Sequence, residues 1–230
     1  MNPGDNELPE NGRSEEESRI PSGNNRRLRR AAEILSVVFH PIFLPLYGLL
    51  IIFSAHTLHS FLPSQIKKML FIVVMANNVL MPMALATVLY ARGAIKTFNA
   101  RDRNERVLLL TFSVVMYSLT AFLLVRMQIP GLFRAFFISI AVVTLITLLI
   151  TVFRRISLHA SGIGGLMMLV VIMAAFYNIS MVWQTVAVIL IAGAVMSSRI
   201  YLEDHSPSEV WTGLLAGAAI MGLSLWFLLR

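Results

Sequence analysis

The sequence predicts an all-α protein, a bundle of about six to seven helices that crosses a membrane. Of its 230 residues, 57% are hydrophobic and only 13% charged, giving a mean hydropathy of +0.75, well away from the balance of a soluble domain. The apolar residues fall in runs that approach or exceed the ~18–20 needed to cross a bilayer as a helix. After Glu33 the acids are confined to Asp102, Glu105, Glu203, Asp204 and Glu209, all in two polar stretches between runs.

Residues 1–31 are rich in Asn, Gly, Pro, Ser and Glu and lack aromatics, so they read as a disordered hydrophilic tail ahead of a membrane domain over 32–230. The first apolar run begins only near Ile34, and a cleaved secretory signal is not expected. Seven spans are expected near 34–55, 67–91, 107–127, 131–153, 160–180, 182–198 and 211–229. The sixth is the shortest, and the "FYNISMVW" boundary before it reads either as a turn or as a kink. Pro41 and Pro45 should bend the first span, because a helical proline removes a hydrogen bond and crowds the preceding turn. No internal repeat is evident.

Nineteen Lys+Arg against twelve Asp+Glu leave a formal charge of +7. In a chain this apolar, that excess reads as loop orientation and contact with anionic head groups, not as nucleic-acid binding. The chain has no cysteine, which excludes disulfides, thiolate catalysis and Cys-based metal sites.

With seven spans, the loops after the second, fourth and sixth emerge on one side, and polar chemistry gathers there. The first, "ARGAIKTFNARDRNERVLLL", carries Arg92, Lys96, Arg101, Arg103 and Arg106. The second, "RRISLHASGIGG", sets His159 where a helix enters the membrane, with Gly162, Gly164 and Gly165 permitting close approach of a backbone or ligand. The third runs from Arg199 into Ser206-Pro207-Ser208-Glu209, which reads as a helix start: Ser206 as N-cap, Pro207 in the first turn, Glu209 closing a capping box. His205 then stands just outside a helix N-terminus, whose free N–H groups favour an anion. Imidazole, guanidinium and helix end together suit a phosphate.

These three loops carry a resemblance. Ser198-Arg199-x5-His205-x3-Glu209 resembles the third signature of the type 2 phosphatidic acid phosphatase superfamily, SRxxxxxHxxxD, with Glu for Asp. Ile156-Ser157-Leu158-His159 resembles its second, PSGH, in Ser and His, and Ser157-x-His159-x2-Gly162-x-Gly164-Gly165 is similar to a SxHxxGxGG-like form in compact bacterial members. Lys96-x6-Arg103 resembles its first, KxxxxxxRP, with Asn104 in place of proline and Arg106 as a competing arginine. The motifs occur in family order and the resemblance covers roughly residues 34–230.

The resemblance implies a membrane lipid phosphatase that hydrolyses a phosphomonoester or pyrophosphate of a membrane lipid, an isoprenoid carrier or a glycerophospholipid, in a bacterial inner membrane. His205 would be the nucleophile, forming a phosphohistidine, and His159 the general acid. Lys96, Arg103 or Arg106, and Arg199 would clamp the phosphate, with Ser157 a hydrogen-bond donor. Neutral imidazole is a competent nucleophile, and a carboxylate on its other nitrogen fixes the tautomer; Glu209 either serves that role or is occupied as a cap. Guanidinium forks and a helix end can neutralise a phosphoryl group unaided, so no metal and no other cofactor is expected. Loss of the PSGH glycine leaves a second reading open, a noncatalytic relative that binds or moves phosphorylated lipid.

Other residues read as structural. His40 sits within the first span, where carbonyls freed by the prolines can accept its N–H. Asn77, Asn78 and Asn178 read as hydrogen-bonding links between helices, and Gly213-x3-Gly217 as a close-packing face. His56 and His59 fall on the opposite side from the motifs. Basic residues near the spans number twelve on the motif side and five on the other, so the positive-inside rule puts the motif loops in the cytoplasm.

Overall fold

The computed structural model describes residues 23–55, 57, 61–95 and 102–230. The expected tail up to residue 22, together with His56, His59, Lys96 and Arg101, lies outside the described residues. Among the described residues every regular element is helical, and seven helical segments are long and apolar enough to cross a membrane.

The first span, Arg26–Ser54, is two helices joined at a break: α1 (Gly23–Val38) and α2 (Leu44–Ser54), with a short 3-10 turn at Pro41–Phe43 between them. Helix α1 starts well before the first apolar run, so residues from Gly23 onward belong to the helix and not to the tail. Arg, Leu and Ala are strong helix formers, and Arg29 pairs with Glu33 one turn on at 3.3 Å. The break follows from Pro41, which drives His40 into an extended conformation (φ −61°, ψ 139°). His40 Nδ1 accepts the Ile42 N–H at 3.3 Å, so this imidazole caps the turn instead of donating to a freed carbonyl. The hydroxyl of Tyr47 donates to the Val38 carbonyl across the break at 2.8 Å. Pro45 falls in the first turn of α2, where a missing N–H costs nothing.

The second span joins α3 (Ser64–Val74) and α4 (Met81–Ala91) through a π-helical turn at Met75–Leu80 just before Pro82. Asn78 in that turn is fully buried and accepts a hydrogen bond from Thr120 Oγ1 at 2.6 Å, linking the second and third spans. The remaining spans are single helices: α5 (Arg103–Arg126), α6 (Gly131–Phe153), α7 (Leu158–Tyr177), α8 (Val182–Tyr201) and α9 (Pro207–Leu229). Asn178 ends α7 in the left-handed conformation (φ 47°, ψ 46°), so the "FYNISMVW" boundary is a turn between two spans and not a kink.

Helix α6 lies at the centre, against α2, α5, α7 and α9. Its Phe133, Phe136 and Phe137 are among the largest fully buried side chains, and Gly48 of α2 makes room for the Phe136 ring. The most extensive helix contact is α7 on α9. There Gly164 faces the Leu214 carbonyl, Gly213 the Ser157 carbonyl and Gly217 the Ser161 carbonyl, each too close for a side chain. That crossing brings the His159 end of α7 against the His205 end of α9, and Ser157 N–H donates to the Glu209 carbonyl at 3.3 Å.

Candidate functional site

A cavity of about 480 Å³ opens where the starts of α5 and α7, the end of α8 and the turn before α9 meet. Arg106 of α5, His159 of α7, Arg199 of α8 and His205 from the turn before α9 share its wall, with His40 from the break in the first span. Beyond these groups the lining is mostly apolar and drawn from several spans, Leu44, Leu110, Phe136, Ile140 and Leu166 among them, with hydroxyl residues such as Ser113, Thr144 and Thr147 interspersed.

His205 stands at the start of α9. Ser206 accepts the Glu209 N–H at 3.4 Å and Glu209 Oε2 accepts the Ser206 N–H at 3.3 Å, completing the capping box. The same Oε2 lies 2.8 Å from His205 Nδ1. One carboxylate thus closes the cap and holds the imidazole, and the two roles left open by the sequence are filled together. Because Oε2 is already an acceptor, His205 donates from Nδ1, and the lone pair of the neutral ring is on Nε2. Burial pushes the His205 imidazole below its ordinary value; the Glu209 hydrogen bond raises it part of the way back, and the charges of Arg106 and Arg199 lower it further.

Arg199 is buried in the last turn of α8. Its Nη1 donates to Ser36 Oγ at 3.1 Å and its Nη2 lies 3.0 Å from Asp204 Oδ2, while Nε is buried with no hydrogen-bond partner. Its carbonyl also accepts the His205 N–H at 3.4 Å, which ties the end of α8 to His205. Arg106, buried in the first turns of α5, donates from Nη1 to the Ile156 carbonyl at 3.4 Å. His159 is buried with Nε2 3.1 Å from the Ser36 carbonyl, and its ring meets His40 edge-on at 5.2 Å between centroids.

The other expected residues stand elsewhere. Arg103 is exposed and lines a separate recess of about 200 Å³ with Asp102, Thr151, Arg154 and Arg155; Arg106 touches both spaces. Of the two competing arginines, Arg106 is therefore the one beside the histidines. Ser157 is fully buried and caps α7, accepting the Ala160 N–H at 3.4 Å, and it is not on the cavity wall. Lys96 lies outside the described residues. Three further residues at the site were not assigned to it from the sequence, His40 having been read as structural. His40 had a signal, an ionisable group inside a span, which is a functional candidate by default. Asp204 had the weaker one of adjacency to His205. Ser36 had none.

Fold and site define a seven-span helical membrane protein with an imidazole and guanidinium cavity that continues into an apolar interior. No protein-family model matches the chain, and no curated protein or solved structure matches it.

Proposed function

We propose that this protein is a membrane lipid phosphatase of the type 2 phosphatidic acid phosphatase superfamily, acting on a phosphomonoester or pyrophosphate of a membrane lipid. The observation that carries the reading is the shared cavity wall of Arg106, His159, Arg199 and His205, brought together from three separate parts of the chain, with mostly apolar space directly beyond them. Two cations and an unpartnered buried N–H suit a phosphoryl group, and the apolar space suits the chain attached to it.

In this reading Arg106 and Arg199 hold the nonbridging oxygens. The Nε2 lone pair of His205 attacks phosphorus, the bond from phosphorus to the leaving oxygen breaks, and His159 gives that oxygen a proton. Glu209 stabilises the imidazolium character that develops on His205. Water then attacks phosphorus, the P–N bond breaks, and the proton released by water returns to His159. Positioning and charge neutralisation supply most of the rate in such a transfer. The charge bias of the loops favours a cytoplasmic site, and the family resemblance a bacterial inner membrane.

The test is phosphate release by the purified full-length chain from a prenyl diphosphate, a prenyl monophosphate and a phosphatidic acid, wild type beside His205→Ala. Turnover of at least one, lost by a factor of about 10³ or more in the variant, is expected where a nucleophile is removed. Binding without turnover would support a noncatalytic lipid-phosphate binder and end the enzyme reading.

A further inference from the structure

We infer that the break in the first span is part of the site, because it hands the Ser36 carbonyl to His159 while the Ser36 hydroxyl holds Arg199; Ser36 is a positioning residue. The inference rests on the phosphate-site reading above, but Ser36 itself lies on none of the three motif loops. In an uninterrupted α-helix the Ser36 carbonyl would accept the N–H of His40, four residues on. Here Phe39 N–H still bonds the Leu35 carbonyl at 2.9 Å, whereas His40 N–H turns to the Val37 carbonyl at 3.3 Å. The Ser36 carbonyl is the first that the helix releases ahead of Pro41, and His159 Nε2 meets it at 3.1 Å in a buried setting.

A carbonyl oxygen only accepts, so His159 Nε2 carries a hydrogen. In the neutral ring that leaves the lone pair on Nδ1, the nitrogen that must gain and lose the proton exchanged with the leaving oxygen. The hydroxyl of the same residue accepts from Arg199 Nη1 at 3.1 Å, opposite the contact of Nη2 with Asp204 at 3.0 Å. Held at both terminal nitrogens, the guanidinium has its plane fixed, and Nε is the buried donor without a protein partner. One residue of α1 therefore sets the tautomer of one site group through its backbone and the pose of another through its side chain.

The two functions separate by mutation. Ser36→Ala removes the hydroxyl and keeps the carbonyl; KM for the lipid phosphate that the wild type hydrolyses should rise about tenfold, the scale of one hydrogen bond to a charged group, with kcat changed by less than about threefold. Ser36→Thr should restore KM. Nitrogen-15 NMR of the His159 ring should show the Nε2–H form in both wild type and Ser36→Ala. Pro41→Ala lets the helix reclaim the carbonyl for the His40 N–H and should shift His159 away from that form. An unchanged KM in Ser36→Ala, or an Nδ1–H ring in the wild type, would overturn the inference. Should the wild type hydrolyse no lipid phosphate, the functional reading fails, while the tautomer and the affinity for inorganic phosphate in wild type and Ser36→Ala still decide this one.

Discussion

At the scale of single residues, the site turns on Glu209, whose Oε2 meets both the Ser206 N–H and His205 Nδ1. The motif spacing made both roles legible but left them as rivals. The geometry joins them because the N-cap lies between His205 and a residue four positions on, so one carboxylate reaches both. Ser206→Ala should separate the roles: loss of the cap costs about 1 kcal/mol of stability, read as a lower melting temperature, with activity largely kept below it. The acid limb of kcat/KM should fall below the ordinary histidine range, since His205 must be neutral to act as the proposed nucleophile and burial with two arginines lowers it. Arg106→Gln removes a lowering charge and should move that limb to higher pH; Glu209→Gln removes a raising partner and should move it to lower pH. A pH profile of the three proteins checks all the signs. Arg103→Gln should leave KM within about twofold, as expected of an exposed side chain off the cavity wall, whereas Arg106→Gln should raise it by tenfold or more.

Among the elements, the spans were readable because the length of an apolar run is a local property of the chain. Their joints were less so. The start of α1 was hidden because a tail's composition averages over residues that differ: the final Arg, Leu and Ala residues favour helix strongly enough for it to begin at Gly23, ahead of Asn24 and Asn25, which do not. The break at His40 was announced by Pro41, but the partner of the carbonyl it frees was not, since that depends on where α7 lies. Glycine placement sets that position. A Cβ on Gly217 would overlap the Ser161 carbonyl, and one on Gly213 would stand 2.6 Å from the Ser157 oxygen. Gly217→Leu should therefore force α7 and α9 apart, lowering the melting temperature and abolishing phosphate binding together. A well-folded variant with normal binding would contradict this account of the crossing. By contrast Gly193, which has nothing within 4 Å of its Cβ position, should accept Ala without loss.

For the whole molecule, the distribution of charge and the alternation of spans bring the three motif loops to one side, and the convergence of Arg106, His159, Arg199 and His205 on one cavity follows from that topology. The absence of cysteine makes sidedness simple to measure. A single cysteine in place of exposed Asp102 should resist a membrane-impermeant thiol reagent in whole cells, and one in place of exposed Phe61 should react; the reverse pattern would put the site on the outer face. The central claim, that this cavity holds a phosphoryl group for attack by His205, is tested most directly by quenching the reconstituted protein during turnover of a radiolabelled lipid phosphate and locating the label. The account predicts acid-labile phosphate on Nε2 of His205, because Glu209 occupies Nδ1; label on Nδ1, on another residue, or on none at all during active turnover would contradict it.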